Sequence, residues 1–551
     1  MAILAFCFID CGSTIRGVPP QHVVFTDTHG NLVDPTGALR CNELKKAHAD
    51  ATTVLQEVSQ NRWEPCFGKS TLLYRREVRS VPEYYEDMFD EMREFFQARR
   101  TSADSPTTEP DQTVRRLVIL IHGGLATNKG NLEAARDLAP KMRADGVYPI
   151  FIVWQSNLWG SLVDSYFKVV NGVNRGWGPW SLLMPFKLTS DVITGVTKLP
   201  PNIASHFRRD IGDRSRTPFT HDLSEADSEY QALRWRYDQC PKGQACNEIA
   251  VSRGPWCWET HEGTSSTVRN IMLTPVKIAT LPLIEGSGTS AWDAMIRHVK
   301  ISFRNEDGHI TESSVDGWPE NASAEDETIL IDSRSRKQPS GAGAVSLFFR
   351  RLRQELQKGE RGVEWDVTLI GHSMGAIMVN EVLRQFGDLN FNNVVYMAAA
   401  ASIEDYETSV LPYLIRQKDG KRSASNVWHL TLHPFAELRE EYAAGAAPSG
   451  SLLVWIDEYL SDPRHFRERT VGRYENLMLA LPYTPEEVRS QIHVRTFGVG
   501  ERIRCAHPQR HGGFLGVREE CDGVEFQAYP FWEEGYWKPR EPSSRIPDCD
   551  Y

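Results

Sequence analysis

The chain has 551 residues, 40% of them hydrophobic and 25% charged, with a formal net charge of −11. Such a chain can bury a full core and has length for two domains. The acidic balance argues against a nucleic-acid binder, which carries a basic patch, and no apolar run reaches the roughly 18 residues of a membrane-spanning helix.

Met1 to Ile9 is almost wholly apolar and leads into Asp10-Cys11-Gly12-Ser13. This reads as the tail of an export signal without its basic n-region, or as a lipoprotein junction at Cys11. Phe8-Ile9-Asp10 departs from the small residues such a junction needs. Cys240, Cys246 and Cys257 cluster in a polar stretch, and Cys505 and Cys521 bracket another. Their spacing is not that of a C-x-x-C zinc site and fits local disulfides, so the expectation is export to the periplasm or cell envelope. Reduced thiols in the cytoplasm are the alternative. Pro82 to Arg99 places Tyr85, Met88, Phe89, Met92, Phe95 and Phe96 at helical spacing, a core-packing stripe. Thr101 to Gln112 is a polar linker, so residues 1–110 read as an N-terminal extension.

Arg115–Ile121 then reads as a buried strand, Asn131–Ala144 as a helix with Asn131 as its N-cap, and Pro149–Trp154 as a second strand. The next strand starts at Val363, about 200 residues on, where a crossover needs about 30. The gap holds an aromatic, apolar stretch (Leu158–Phe207), a polar cysteine-bearing stretch (Asp210–Gly254), a helix (Ser290–Phe303), a polar loop (Asn305–Pro339) and the crossover helix itself, Gly341–Leu356. Strands follow at Val363–Ile370, Asn393–Ala399, Asn426–Leu432 and Gln491–Phe497, separated for the most part by helical segments. Near-continuous apolar strands alternating with helices predict a mostly parallel sheet covered on both faces. The expected division is a core over 111–157 and 340–540 with an inserted cap over 158–339. No internal repeat is present.

Chemistry concentrates at Gly371-His372-Ser373-Met374-Gly375, directly after the third strand and before a helix-compatible run, Ala376 to Phe386. A G-x-S-x-G turn between strand and helix is a nucleophile elbow, which lifts a serine hydroxyl above the sheet edge. A serine needs a base to take its proton, a third group to orient that base, and preplaced N–H donors for the oxyanion. The donors read from the sequence are the Met374 N–H and the glycines of His122-Gly123-Gly124, which follow the Arg115–Ile121 strand. The base belongs after the last strand. His511, in His511-Gly512-Gly513-Phe514, is preferred to His507, which precedes a proline, and to His493, inside a strand. The acid falls between Ser373 and His511: Glu437 is the first choice, Asp405 the second and Asp457 the third. The His429/His433 and His507/His511 pairs lack an H-E-x-x-H frame, so no metal and no cofactor is expected.

These residues resemble the α/β-hydrolase superfamily over Arg115–Trp154 and Val363 to about Trp537. The order Ser373, acid, His511 is that of the superfamily, and the LIGHSMGA and NVVYMAAA segments resemble bacterial esterase- and lipase-like serine hydrolases with a large insert. The resemblance implies an α/β-hydrolase fold, an insert packed as a cap over the site, and cleavage of a small ester by Ser373, His511 and the His122-Gly123-Gly124 loop. The aromatic insert, in a chain with fifteen tryptophans, suggests a hydrophobic substrate. Leu158–Phe207 reads as ordinary cap core ahead of an interfacial lid in peripheral contact with lipid, the mark of a lipase or phospholipase. Amide or thioester cleavage would use the same residues. A non-catalytic protein binding a ligand or partner on this scaffold is the alternative from another class. Oligomeric state has no signal in the sequence.

Overall fold

The computed structural model describes residues 18–27, 30–33, 81–102, 113–124, 128–154, 288–304, 342–358, 363–419, 425–432, 450–461, 463–497, 510–515 and 530–537, with short pieces elsewhere that include Glu437 and Glu440. The fold is α/β, a mostly parallel sheet with helices, in which seven strands are flanked at the edges by two strands of two residues each. Contacts divide the chain into two compact units, 1–161 with 295–368 and 162–294 with 369–551. The boundary cuts through strand β5 (Val363–His372), which gives residues to both.

In the first unit the strand order is β2 (Leu32–Val33), β1 (Val23–Thr26), β4 (Val147–Val153), β3 (Thr113–Ile121), β5. β1 and β3 both run parallel to β4, with Val23 opposite Phe151 and Ile121 opposite Ile152, and β2 is antiparallel to β1. Every residue of β1 and β4 is buried, as strands covered on both faces must be. The segment read as an N-terminal extension therefore contributes a strand to the sheet. Val-Val-Phe-Thr is too short to show a period, and only its pairing with β4 reveals it. The predicted aromatic stripe does pack as core: on α1 (Val81–Ser102) Phe89 stacks on Phe348 of α3 (Ala344–Gln357) at 5.8 Å, and the Tyr85 hydroxyl donates to the Ala344 carbonyl at 2.7 Å. Arg93 completes the α1–α3 contact through Glu355 at 2.6 Å.

The N-cap expected at Asn131 is not found there. Helix α2 starts at Asn128 and ends at Ala144, so Asn131 lies inside its first turn and is not the N-cap. Its amide reaches the His122 ring, 2.9 Å from Nδ1 and 3.2 Å from Nε2. A side chain turned toward another element cannot serve its own helix end, and sequence spacing does not reveal where it turns.

In the second unit the order is β5, β6 (Asn393–Met397), β7 (Asn426–Leu432), β8 (Ile492–Phe497), then a two-residue strand, Val251–Ser252. β6, β7 and β8 are parallel, with Tyr396 opposite His429 and His429 opposite Val494. α4 (Gly375–Gln385) and α5 (Ile403–Asp419) pack together, joined by the Arg384–Asp405 ion pair. The loop after β6 is unusually tight. Ala398 has φ 43°, and Gly472 approaches so closely that a Cβ there would sit 2.1 Å from the Ala399 nitrogen and 2.3 Å from its oxygen. Gly472 and Val471 donate their N–H groups to the Ala399 and Ala401 carbonyls at 2.9 and 2.8 Å. Because the obstacle is backbone on both sides, Gly472→Ala should destabilise this unit by about 3 kcal/mol or more, read as a lower urea midpoint at unchanged slope.

Between Trp154 and Val363 the helix expected at Ser290–Phe303 is present over 288–302. Of Leu158–Phe207, the described parts are the antiparallel strands Val169–Val170 and Val173–Asn174. The remainder of the expected cap, and Cys240, Cys246, Cys257 and Cys505, lie outside the described residues. Among the described residues no helix is long and apolar enough to cross a membrane.

Candidate active site

β5 runs through Gly371 and His372, and α4 begins at Gly375, so Ser373 and Met374 form the whole turn between them. Ser373 has φ 52°, a left-handed conformation that a residue with a Cβ adopts at a cost of roughly 1–2 kcal/mol. Three bonds hold it there. Its N–H donates to the Met397 carbonyl at 2.9 Å, and its carbonyl accepts from Ala400 at 2.9 Å and Ala376 at 3.1 Å. Gly371 is required by the same crossing: a Cβ would meet Val379 Cγ2 at 2.7 Å and the Ala376 backbone at 3.0 Å. The Ser373 side chain is buried, and its Oγ has no hydrogen-bond partner. Met374 sits at the start of α4, where helix N–H groups lack intrahelical acceptors and the helix dipole favours negative charge.

His511 opens a short 3-10 turn, His511–Leu515, and is buried with both ring nitrogens unpartnered. Its ring centroid is 5.3 Å from that of His372, the residue before Ser373. No hydrogen bond joins Ser373 Oγ to His511. Burial pushes the His511 imidazole well below its usual range, and the neighbouring His372 adds to this. Burial likewise brings His372 down to about 4, and its Nε2–H donates to the His511 carbonyl at 3.0 Å. Both rings are therefore neutral near pH 7. His493 stacks on Trp428 at 4.1 Å within the sheet, and its Nε2 lies 3.2 Å from Asn426 Oδ1. His507 and His433 lie outside the described residues.

The three carboxylates differ in how far they are committed. Asp405 binds Asn380 Nδ2 at 2.5 Å and the Arg384 guanidinium, using both oxygens. Asp457 takes the Thr470 N–H at 2.8 Å on one oxygen, and Arg473 at 3.1 Å and Asn476 at 2.8 Å on the other. Both are thus spent on holding α5 and the 470–476 segment. Glu437 is buried and accepts from the Ser451 hydroxyl through Oε2, while Oε1 is unpartnered. None of the three bonds the His511 ring. Burial raises the Glu437 carboxyl to about 8, which the Ser451 bond only partly offsets.

That shift has a sign that can be measured. A carboxyl with a raised native pKa contributes its stability below the unfolded value, near 4.5, and loses it as pH climbs through about 8. Glu437→Gln should therefore gain on the wild type as pH rises from 4.5 to 8, by on the order of 1–3 kcal/mol, with no gain at pH 4.5. Thermal melts of both proteins across that range check it; a difference that does not grow with pH contradicts it.

The other predicted oxyanion element lies in the first unit. His122, Gly123 and Gly124 follow β3 directly. The His122 ring accepts the Trp154 N–H through Nε2 at 3.1 Å, and its Nδ1 lies 2.6 Å from the Gly123 carbonyl. Its imidazole thus fixes the start of this loop to the end of β4. Two residues that sequence reasoning passed over stand out beside Ser373 and His511. His372 lies inside the G-x-S-x-G motif, at a position to which that pattern gives no role. Glu440, whose Oε2 accepts the His511 N–H at 2.8 Å, gave no signal, because its partner is distant in sequence. Among the described residues no group of three His, Cys, Asp or Glu side chains could hold a metal ion. The chain matches no known protein family, no curated protein and no solved structure.

Proposed function

We propose that the chain is a serine hydrolase of α/β-hydrolase type that cleaves carboxylic esters by acyl transfer. The observation that carries this reading is the conformation of Ser373: a non-glycine residue at φ 52° between strand and helix, with an unbonded hydroxyl, in the same unit as an imidazole with no bonded nitrogen. Strain and unsatisfied buried polar groups are costly, and chains retain them where chemistry needs them.

In the proposed reaction Ser373 Oγ attacks the ester carbonyl while His511 takes its proton. The Met374 N–H stabilises the oxyanion. The tetrahedral intermediate expels the alcohol, which receives the proton from His511. Water, deprotonated by His511, then releases the acid and restores the serine. Catalytic hydrogen bonds are often long or unformed without substrate, which suits a serine and a histidine that are each unbonded here. Glu437 is the proposed orienting acid, because it alone of the three keeps an unpaired oxygen. The hydrophobic substrate preference rests on the aromatic insert.

His511→Ala should lower kcat/KM for p-nitrophenyl esters by about 10³-fold or more, with His507→Ala close to wild type. Loss in the His507 variant with retention in the His511 variant would reverse the base assignment.

A further inference from the structure

Resting on that hydrolase reading, we infer that Glu440 and His372 are positioning residues for His511, gripping it by its backbone from two sides so that its imidazole stays free. The His511 N–H donates to Glu440 Oε2 at 2.8 Å, and the His511 carbonyl accepts from His372 Nε2–H at 3.0 Å. The two grips come from separate parts of the chain, 71 and 139 residues away. Among the described residues, the hydrogen bonds to His511 fall on its peptide groups, and none falls on Nδ1 or Nε2.

Glu440 is itself anchored. Its carbonyl accepts from Gly450 at 2.8 Å, and the Glu437 carbonyl accepts from Ser451 at 2.6 Å. Glu437 and Glu440 are thus tied to the 450–451 segment, with Gly450 at φ 124° to make the approach. At the other side, His372 is the last residue of β5, so the strand end that presents Ser373 also grips the base loop. The nucleophile and the base are referenced to one strand end. A displacement of the base by about 1 Å would be felt as a loss of rate.

The test uses the full-length protein, p-nitrophenyl butyrate, and a fluorophosphonate probe read at Ser373. Glu440→Ala should lower kcat and the labelling rate by about 10–100-fold with KM within about twofold, whereas Glu440→Gln, whose amide oxygen still accepts the His511 N–H, should recover to within about threefold of wild type. His372→Leu should lose rate in the same way, and His372→Gln, which keeps an N–H donor, should recover part of it. A purely stabilising role would lower the melting temperature without separating Ala from Gln in kcat. If Glu440→Ala does not fold, Glu440→Asp answers in its place: the charge is kept, the oxygen is drawn back by one methylene, and kcat should again fall. Wild-type kcat in Glu440→Ala or Glu440→Asp, or equal losses in Glu440→Ala and Glu440→Gln, overturns the inference. A wild-type protein that takes no label sinks the hydrolase reading itself. Labelling that is equally fast in wild type and Glu440→Ala sinks only the positioning role.

Discussion

Ser373→Ala is expected to abolish ester hydrolysis, by about 10³–10⁴-fold in kcat, and to leave the protein as stable as before or more so. The two halves of this result have separate causes. The loss of rate follows from removing the nucleophile. The stability follows from removing a buried hydroxyl that has no hydrogen-bond partner, a group whose desolvation costs about 1–3 kcal/mol while it is left unmade. Ser373→Gly should go further, because it also relieves the φ of 52°, worth roughly 1 kcal/mol more. A residue whose removal raises the melting temperature while the rate collapses is held in place for its chemistry. If Ser373→Ala instead lowers the melting temperature by several degrees with activity unchanged, the serine is a packing residue and the mechanism goes with it.

The second large effect is on stability. Asp457→Ala should cost about 3 kcal/mol, because it removes a carboxylate paired with the buried Arg473 guanidinium. Both side chains are almost fully buried, at 0% and 3% exposure, so solvent cannot take over the role of the carboxylate. The Thr470 N–H and the Asn476 amide lose their acceptor in the same step. Glu475, 3.0 Å from Arg473, offsets only part of the loss. The consequence reaches the elbow, since the 470–472 backbone is bonded to the Ala399–Ala401 loop that also holds Ser373. Melting should drop by about 10 °C. Below the new transition, the folded variant should still react at Ser373, which distinguishes a structural carboxylate from a triad acid. A melting temperature within about 2 °C of wild type would contradict this account of Asp457.

What the sequence made legible was what local pattern encodes. Four-residue glycine spacing around Ser373, with an apolar strand before it and a helix after, is a local signature, and the turn lies where that signature puts it. The parallel sheet was readable for the same reason, since buried strands such as Val147–Val153 are apolar throughout. β1 escaped notice because four residues carry no period, and its identity comes from its neighbour β4. The carboxylates were ranked by their position after strands, yet their differences are set by distant partners: Arg473 for Asp457, Arg384 for Asp405, Ser451 for Glu437. Glu440 shows the same limit. Nothing in the run Glu437 to Glu441 singles it out, and only the fold brings it to the His511 N–H.

Acid should weaken the protein for a reason visible in these buried rings. His372 and His429 are held at about 4 and about 3 by burial, so the unfolded chain takes up their protons first and stability falls as pH drops from about 6.5 toward those values. Activity is therefore best examined near pH 7–8. The most direct measurement is a fluorophosphonate reaction at that pH, with the modified peptide identified by mass spectrometry. The account predicts one covalent adduct, on Ser373, lost in Ser373→Ala and slowed in His511→Ala. A folded wild-type protein that carries no adduct, or carries it on another residue, would contradict it.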